Sequence, residues 1–108
     1  MADGIPEIGV ADLARAIEAG APLIDVREPD EFEWARADTA NLIPLKTVPD
    51  RLDEVPTDRR VYVICRSGGR SAKAVEFLRG QGVDAVNVAG GMLAWLEAGY
   101  PHATGPIS

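Results

Sequence analysis

Three short runs, PLIDV at 22–26, VYVIC at 61–65 and DAVNV at 84–88, place apolar side chains at consecutive positions instead of every second one. A strand with one wet face alternates polar and apolar residues. A strand without that alternation has both faces covered, which is the condition inside a parallel sheet flanked by helices. The stretches between these runs have helical spacing. ADLARAIEAG (11–20) brings Leu13, Ala14, Ala16 and Ile17 near one face and stops at Gly20. EPDEFEWA (28–35) opens with Pro29 among acids, a composition suited to a helix N-terminus. SAKAVEFLRGQG (71–82) turns Ala74, Val75 and Leu78 inward, and GGMLAWLEAGYP (90–101) is a helix stopped by Gly99 and Pro101. NLIPL (41–45) reads as a further short strand closed by Pro44, and VPDRLDEVP (48–56) as a brief helix between prolines. Strands alternating with helices in a chain of 108 residues predict one α/β domain whose parallel sheet is covered on both faces. No repeat, low-complexity stretch or linker interrupts it. HATGPIS (102–108) reads as a loosely held tail.

Composition narrows the function classes. The chain is 46% hydrophobic and 26% charged, ordinary for a globular protein, and no apolar stretch reaches bilayer length. The opening Met-Ala-Asp-Gly-Ile-Pro-Glu lacks the basic-then-apolar order of a signal peptide. A single cysteine excludes an internal disulfide, so nothing requires an oxidising compartment, and the cytoplasm is the expected location. The formal net charge of −6 argues against nucleic acid and anionic membrane as partners, because phosphate binding needs clustered Lys and Arg. No apolar stripe is left over beyond the core pattern, so a monomer is expected.

Against this acidic background the one cysteine, Cys65, ends VYVIC and is followed by RSGGRS, which carries Arg66 and Arg70, and then by a helical pattern. In open α/β sheets ligands bind beyond the carboxyl ends of the strands. Gly68 and Gly69 allow positive φ and close backbone approach. Successive amides can turn inward as an anion-binding nest, and the helix starting near Arg70 or Ser71 adds its positive dipole end. Such surroundings lower a thiol pKa. Arg70 is placed to stabilise the thiolate and to hold an anionic substrate through paired hydrogen bonds. Each feature has a plainer reading: a strand-end cysteine as a small hydrophobe, a Gly-Gly pair as a tight turn, Arg66 as a solvated side chain. The conjunction is what points to a site. Other candidates are weaker. His102 lies far from any acid at metal-ligand spacing, no Cys/His cluster supports a metal, and Ser67 and Ser71 have no histidine base. Trp34 and Trp95 read as packing residues. No cofactor is called for.

Asp-Val-Arg-Glu at 25–28, Cys-x-x-Gly-x-Arg at 65–70 and Gly-Gly-x-x-x-Trp at 90–95 with Ala-Gly-x-Pro at 98–101 together resemble the single-domain rhodaneses, a sulfurtransferase family. The resemblance spans about Ile8 to Pro101. It implies a five-stranded parallel sheet flanked by helices, and a ping-pong reaction through a persulfide on Cys65. Sulfur from thiosulfate or a related small anionic donor would pass to cyanide or a thiol, including a protein thiol. Arg66, Ser67, Gly68, Gly69 and Arg70 would form the loop that binds the transferred sulfur. Asp25, Arg27 and Ser71 would support it, with Arg27 paired to a nearby acid such as Glu31. One stretch departs from the family pattern. Where relatives carry Gly-His-Ile-Pro-Gly-Ala, this chain has ARADTA (35–40), which puts Arg36 at the histidine position near the expected rim of the site. Two rivals remain. Cysteine phosphatases and arsenate reductases resemble this loop but place five residues between cysteine and arginine, against four here. A non-catalytic or redox-sensing module on the same fold is the other.

Overall fold

In the computed structural model, which describes residues 4–107, the consecutive apolar runs form the middle of a sheet. Met1–Asp3, on which part of the leader reading rests, and Ser108 of the tail lie outside the described residues. The chain runs β1 (Glu7–Ile8), α1 (Val10–Glu18), β2 (Leu23–Asp25), α2 (Pro29–Trp34), β3 (Asn41–Leu42), a 3-10 segment (Leu45–Glu54), β4 (Val61–Ile64), α3 (Gly69–Gly80), β5 (Ala85–Val88) and α4 (Gly91–Glu97). The five strands lie in the order β1-β5-β4-β2-β3, every neighbouring pair parallel. Register on β4 sets Asp25 opposite Ile64 on one side and Val61 opposite Ala85 on the other.

Both faces of the sheet are dry, as the missing alternation requires. Ile24, Val26, Val63 and Ala85 pack under Ala74, Val75 and Leu78 of α3 and Val48 of the 3-10 segment. Leu23, Ile64 and Val88 pack on the other face under Leu13 of α1 and Met92 and Trp95 of α4. Complete burial of each Val, Leu or Ile in these layers is worth about 1.5–3 kcal/mol, so the two layers dominate the fold's stability. The strand order reverses between β2 and β4, because the chain leaves β2 outward to β3 and returns on its other side. The crevice beyond their carboxyl ends is where such sheets place ligands. Cys65 follows β4 there, and Arg27 lies just past the end of β2.

Three local expectations change. β1 is a two-residue strand that exists by pairing Glu7 with Asn87 and Ile8 with Val88 of β5. No periodicity in so short a stretch could announce it. The brief helix expected at 48–56 is a 3-10 segment over Leu45–Glu54 with a kink at Arg51, consistent with Pro49 inside it, which has no N–H for the helical ladder. The carboxyl-terminal stretch is tied down. Arg36 and Ala103 exchange backbone hydrogen bonds at 2.9 and 2.8 Å, Gly105 N–H donates to Glu33 O at 2.8 Å, and Trp95 Nε1 donates to Pro101 O at 2.8 Å.

Candidate active site

β4 ends by delivering Cys65 into the crevice with 1% of its surface exposed. The chain turns over it at Gly68, whose φ of +113° lies in the left-handed region where glycine is strongly favoured. That turn faces the loop inward: Gly68 N–H donates to Cys65 Sγ at 3.1 Å. The Ser71 hydroxyl, carried back by the first turn of α3, lies 3.3 Å from the same sulfur. Burial pushes the thiol pKa up and is the largest single influence. Hydrogen bonds from the Ser71 hydroxyl and from the amides of Ser71, Gly68 and Ser67 together outweigh it, leaving the thiol below its ordinary value. The arrangement favours a thiolate held by backbone donors, and no histidine takes part.

The floor of the loop is the start of α4. Met92 N–H donates to Cys65 O at 2.9 Å and Leu93 N–H to Arg66 O at 3.1 Å. These contacts need bare backbone at Gly91, where φ is +56° and an added Cβ would lie 2.4 Å from Cys65 O and 2.5 Å from Arg66 O. Gly91→Ala is expected to destabilise the protein by about 2–4 kcal/mol, combining backbone strain with overpacking against carbonyls that have no room to move. Urea unfolding measures it, and a change under 1 kcal/mol would show that the loop tolerates displacement.

The wall is built from charge. Arg27, 1% exposed, binds Asp25, 0% exposed, through Nη2 at 2.7 Å and Nε at 3.0 and 3.1 Å. It also donates to the carbonyls of Glu31 and Ala35 at 3.0 and 2.7 Å, fixing α2 against the sheet end. The acid that pairs with Arg27 is therefore Asp25, two residues away, and not the Glu31 carboxylate expected from sequence. Glu31 is already engaged. Its Oε1 accepts from Glu28 N–H at 3.0 Å in the capping box of α2, and its two oxygens take Arg70 Nη1 and Nη2 at 2.7 and 2.8 Å. The Arg70 fork expected to face an anionic substrate is thus filled by Glu31, although the negative charge of Cys65 still adds to what stabilises the guanidinium.

The Arg70 hydrogen bonds hold the Glu31 carboxyl at about 2, against partial burial acting the other way. A depressed carboxylate stabilises the fold above its unfolded pKa and loses that contribution as pH falls through the folded value. Acid unfolding should therefore carry a component between about pH 4.5 and 2 that Glu31→Gln removes. Urea midpoints of the two proteins that run parallel across this window would refute the assignment.

Of the remaining expected residues, Arg66 and Ser67 are exposed on the loop and Gly69 opens α3. Arg66 lines a shallow depression beside the site with Arg27, Asp30, Glu31 and Trp34. Trp34 is 62% exposed there, so the packing role expected for it belongs only to the buried Trp95. Arg36 does not line this depression. Its guanidinium lies over the Phe32 ring and donates to Phe32 O at 3.2 Å and Gly105 O at 2.9 Å, which commits it to holding the carboxyl-terminal segment. Sequence reasoning missed Asn87, the lone amide in DAVNV. It is 1% exposed, and its Oδ1 lies 2.5 Å from Ser71 Oγ. A polar side chain in an otherwise apolar buried strand must find a partner, and that was the available signal. Among the described residues no cluster of His, Cys, Asp or Glu could hold a metal ion, and no helix is long and apolar enough to cross a membrane.

Residues 9–98 match the rhodanese-like domain. The chain is 40% identical over 80 residues to a sulfurtransferase of Allochromatium vinosum, covering 73% of this chain and 75% of that protein. It is 40% identical over 93 residues to the putative sulfurtransferase YtwF of Bacillus subtilis, covering 84% and 90%. Among solved structures, a rhodanese-related protein from Thermoplasma volcanium superposes with a TM-score of 0.86 at 38% identity, over 91% of this chain and 97% of that one. Sulfur transfer is the activity that these likenesses support. Matched to that domain over residues 9–98, and superposing on a solved rhodanese-related structure over 91% of its own length, the chain belongs to the rhodanese-like domain family.

Proposed function

We propose that the protein transfers sulfane sulfur through a persulfide on Cys65, with thiosulfate or a related small anion as donor. The Cys65 thiolate attacks the outer sulfur of thiosulfate. A new S–S bond forms, the old one breaks, and sulfite leaves with the bonding electron pair. The negative charge then sits on the outer sulfur of the persulfide. Cyanide or a thiolate attacks that atom, forming thiocyanate or a new persulfide and returning Cys65 to its thiolate. Neither half-reaction needs a proton relay; both need donors around a moving negative charge.

The observation that carries this reading is the sulfur itself, buried at a strand end and facing the Gly68 amide at 3.1 Å. Backbone amides suit an anionic sulfur at every stage of the cycle. Arg66, exposed at the mouth, and Arg70, held by Glu31, supply positive charge around it without occupying the cradle.

Intact mass tests it. Reduced protein incubated with excess thiosulfate is expected to gain one sulfur atom, which cyanide removes. If thiosulfate fails but glutathione persulfide loads the protein, the donor is a persulfide and the thiosulfate assignment is wrong. If neither donor adds mass, the persulfide reading itself is overturned.

A further inference from the structure

Ser71 has one hydroxyl proton and faces two acceptors, Cys65 Sγ at 3.3 Å and Asn87 Oδ1 at 2.5 Å. The Asn87 amide is not free to turn and relieve this competition. Its Nδ2 donates to the Glu7 carboxylate at 2.8 Å and to Gly68 O at 3.3 Å, and neither an ionised carboxylate nor a carbonyl can donate in return. Oδ1 is therefore fixed toward Ser71. Both residues are buried, at 1% and 0% exposure, so water does not take the place of a missing partner.

We propose that Glu7 and Asn87 are positioning residues that compete with the Cys65 sulfur for the Ser71 hydroxyl proton and thereby set the acidity of the thiol. In the thiol state, S–H donates to Ser71 Oγ, Ser71 donates to Asn87 Oδ1, and Asn87 Nδ2 donates to Glu7, so every group is paired. On ionisation the sulfur becomes an acceptor. Ser71 then either turns to the sulfur and strands a buried Oδ1, or stays on Asn87 and leaves the sulfur to the backbone amides alone. Either outcome disfavours the thiolate relative to a loop lacking the Asn87 acceptor. The amide cradle and the Ser71 hydroxyl pull the thiol pKa down, and Asn87, held by Glu7, restrains the hydroxyl's share.

A consequence follows for turnover, and it rests on the persulfide reading. Once sulfur is loaded, Cys65 Sγ is no longer anionic and the charge has moved outward. Ser71 can return to Asn87 with nothing stranded, so the chain favours the loaded state over the free thiolate.

The other charged groups around the sulfur do not change with the Ser71 proton. The Asp25–Arg27 pair beyond β2 is internally closed, Glu31 of α2 and Arg70 of α3 bind each other, and Arg66 is exposed on the loop. α4 presents backbone amides to the loop carbonyls.

The test is the pH dependence of iodoacetamide alkylation at Cys65 in the whole chain, for wild type, Asn87→Val, Ser71→Ala and the double variant. Asn87→Val removes the competing acceptor, so the midpoint is expected to fall by about one unit. In the Ser71→Ala background there is no proton to release, and the same substitution is expected to leave the midpoint unchanged. A midpoint that stays or rises in Asn87→Val overturns the proposal. So does an equal fall in both backgrounds, which would mean that Asn87 acts through loop geometry. Should Asn87→Val fail to fold by circular dichroism, Glu7→Gln decides under the same two criteria with a smaller shift. Its side chain is exposed on an edge strand, and any direct charge effect would persist without Ser71. No sulfur donor enters this experiment, so its failure leaves the persulfide reading standing, and the reverse holds for the mass experiment.

Discussion

Cys65→Ser protein is expected to gain no mass from thiosulfate or from a persulfide donor, and its sulfur-transfer rate to fall on the order of a thousandfold or more. Removing a nucleophile from a covalent mechanism leaves only what binding alone can do. Serine cannot substitute, because an alkoxide is far harder to form than a thiolate and no histidine stands by to assist. The sulfur is surrounded by donors that favour its anion, with the Gly68 amide at 3.1 Å and no base within hydrogen-bond reach. The substitution is close to isosteric, and the hydroxyl can accept from the same amide. Its unfolding free energy is therefore expected within about 1 kcal/mol of wild type. That pairing of results is the informative one. Lost transfer with retained stability assigns chemistry to Cys65, whereas retained transfer would move the reaction elsewhere. Lost stability would make the residue a core cysteine after all.

Arg27→Ala has the largest expected effect on folding, about 3–5 kcal/mol of lost stability. The reason lies in what is left behind. Asp25 is fully buried and receives three of its hydrogen bonds from the Arg27 side chain, so removing the guanidinium strands a carboxylate away from water. The carbonyls of Glu31 and Ala35 lose their donors as well. The damage does not stop at the pair. Glu31 sits on the helix that Arg27 anchors, and Glu31 holds Arg70 at the start of α3. Sulfur transfer should fall with stability even though the hydrogen bonds of Arg27 go to Asp25, Glu31 and Ala35 and not to Cys65. Urea unfolding at neutral pH gives the first number. Replacing Asp25 and Arg27 together with apolar residues should recover part of the loss, because no unpaired charge remains. If the single and double variants are equally unstable, the pair contributes through packing and not through charge.

The residues that announced themselves in sequence are those whose role is local. VYVIC, the glycines of RSGGRS and the helical pattern after them are contiguous, and each step follows from the one before. An apolar run makes a strand, Gly68 allows the left-handed turn, and the turn starts α3 with its amides facing back. Cys65 and its cradle were legible for that reason, and so was a parallel sheet with both faces covered. Charge partners were not. Arg70 looked free to face an anion and is bound by Glu31, 39 residues earlier; Arg27 looked like a partner for Glu31 and is closed onto Asp25. An exposed-looking Arg36 turned out to hold the end of the chain.

Asn87 shows the limit most directly. Within DAVNV it is one polar letter in a strand, and nothing nearby in sequence says what it meets. The strand order sets β1 beside β5, which brings Glu7 within 2.8 Å of its amide from 80 residues away, while α3 brings Ser71 to its other side. Periodicity, turn chemistry and burial depend on a few neighbouring residues, so the sequence by itself determined most of the elements, the sheet type and the candidate nucleophile. Which donor meets which acceptor depends on the order in which the strands lie, and only the tertiary structure decided that.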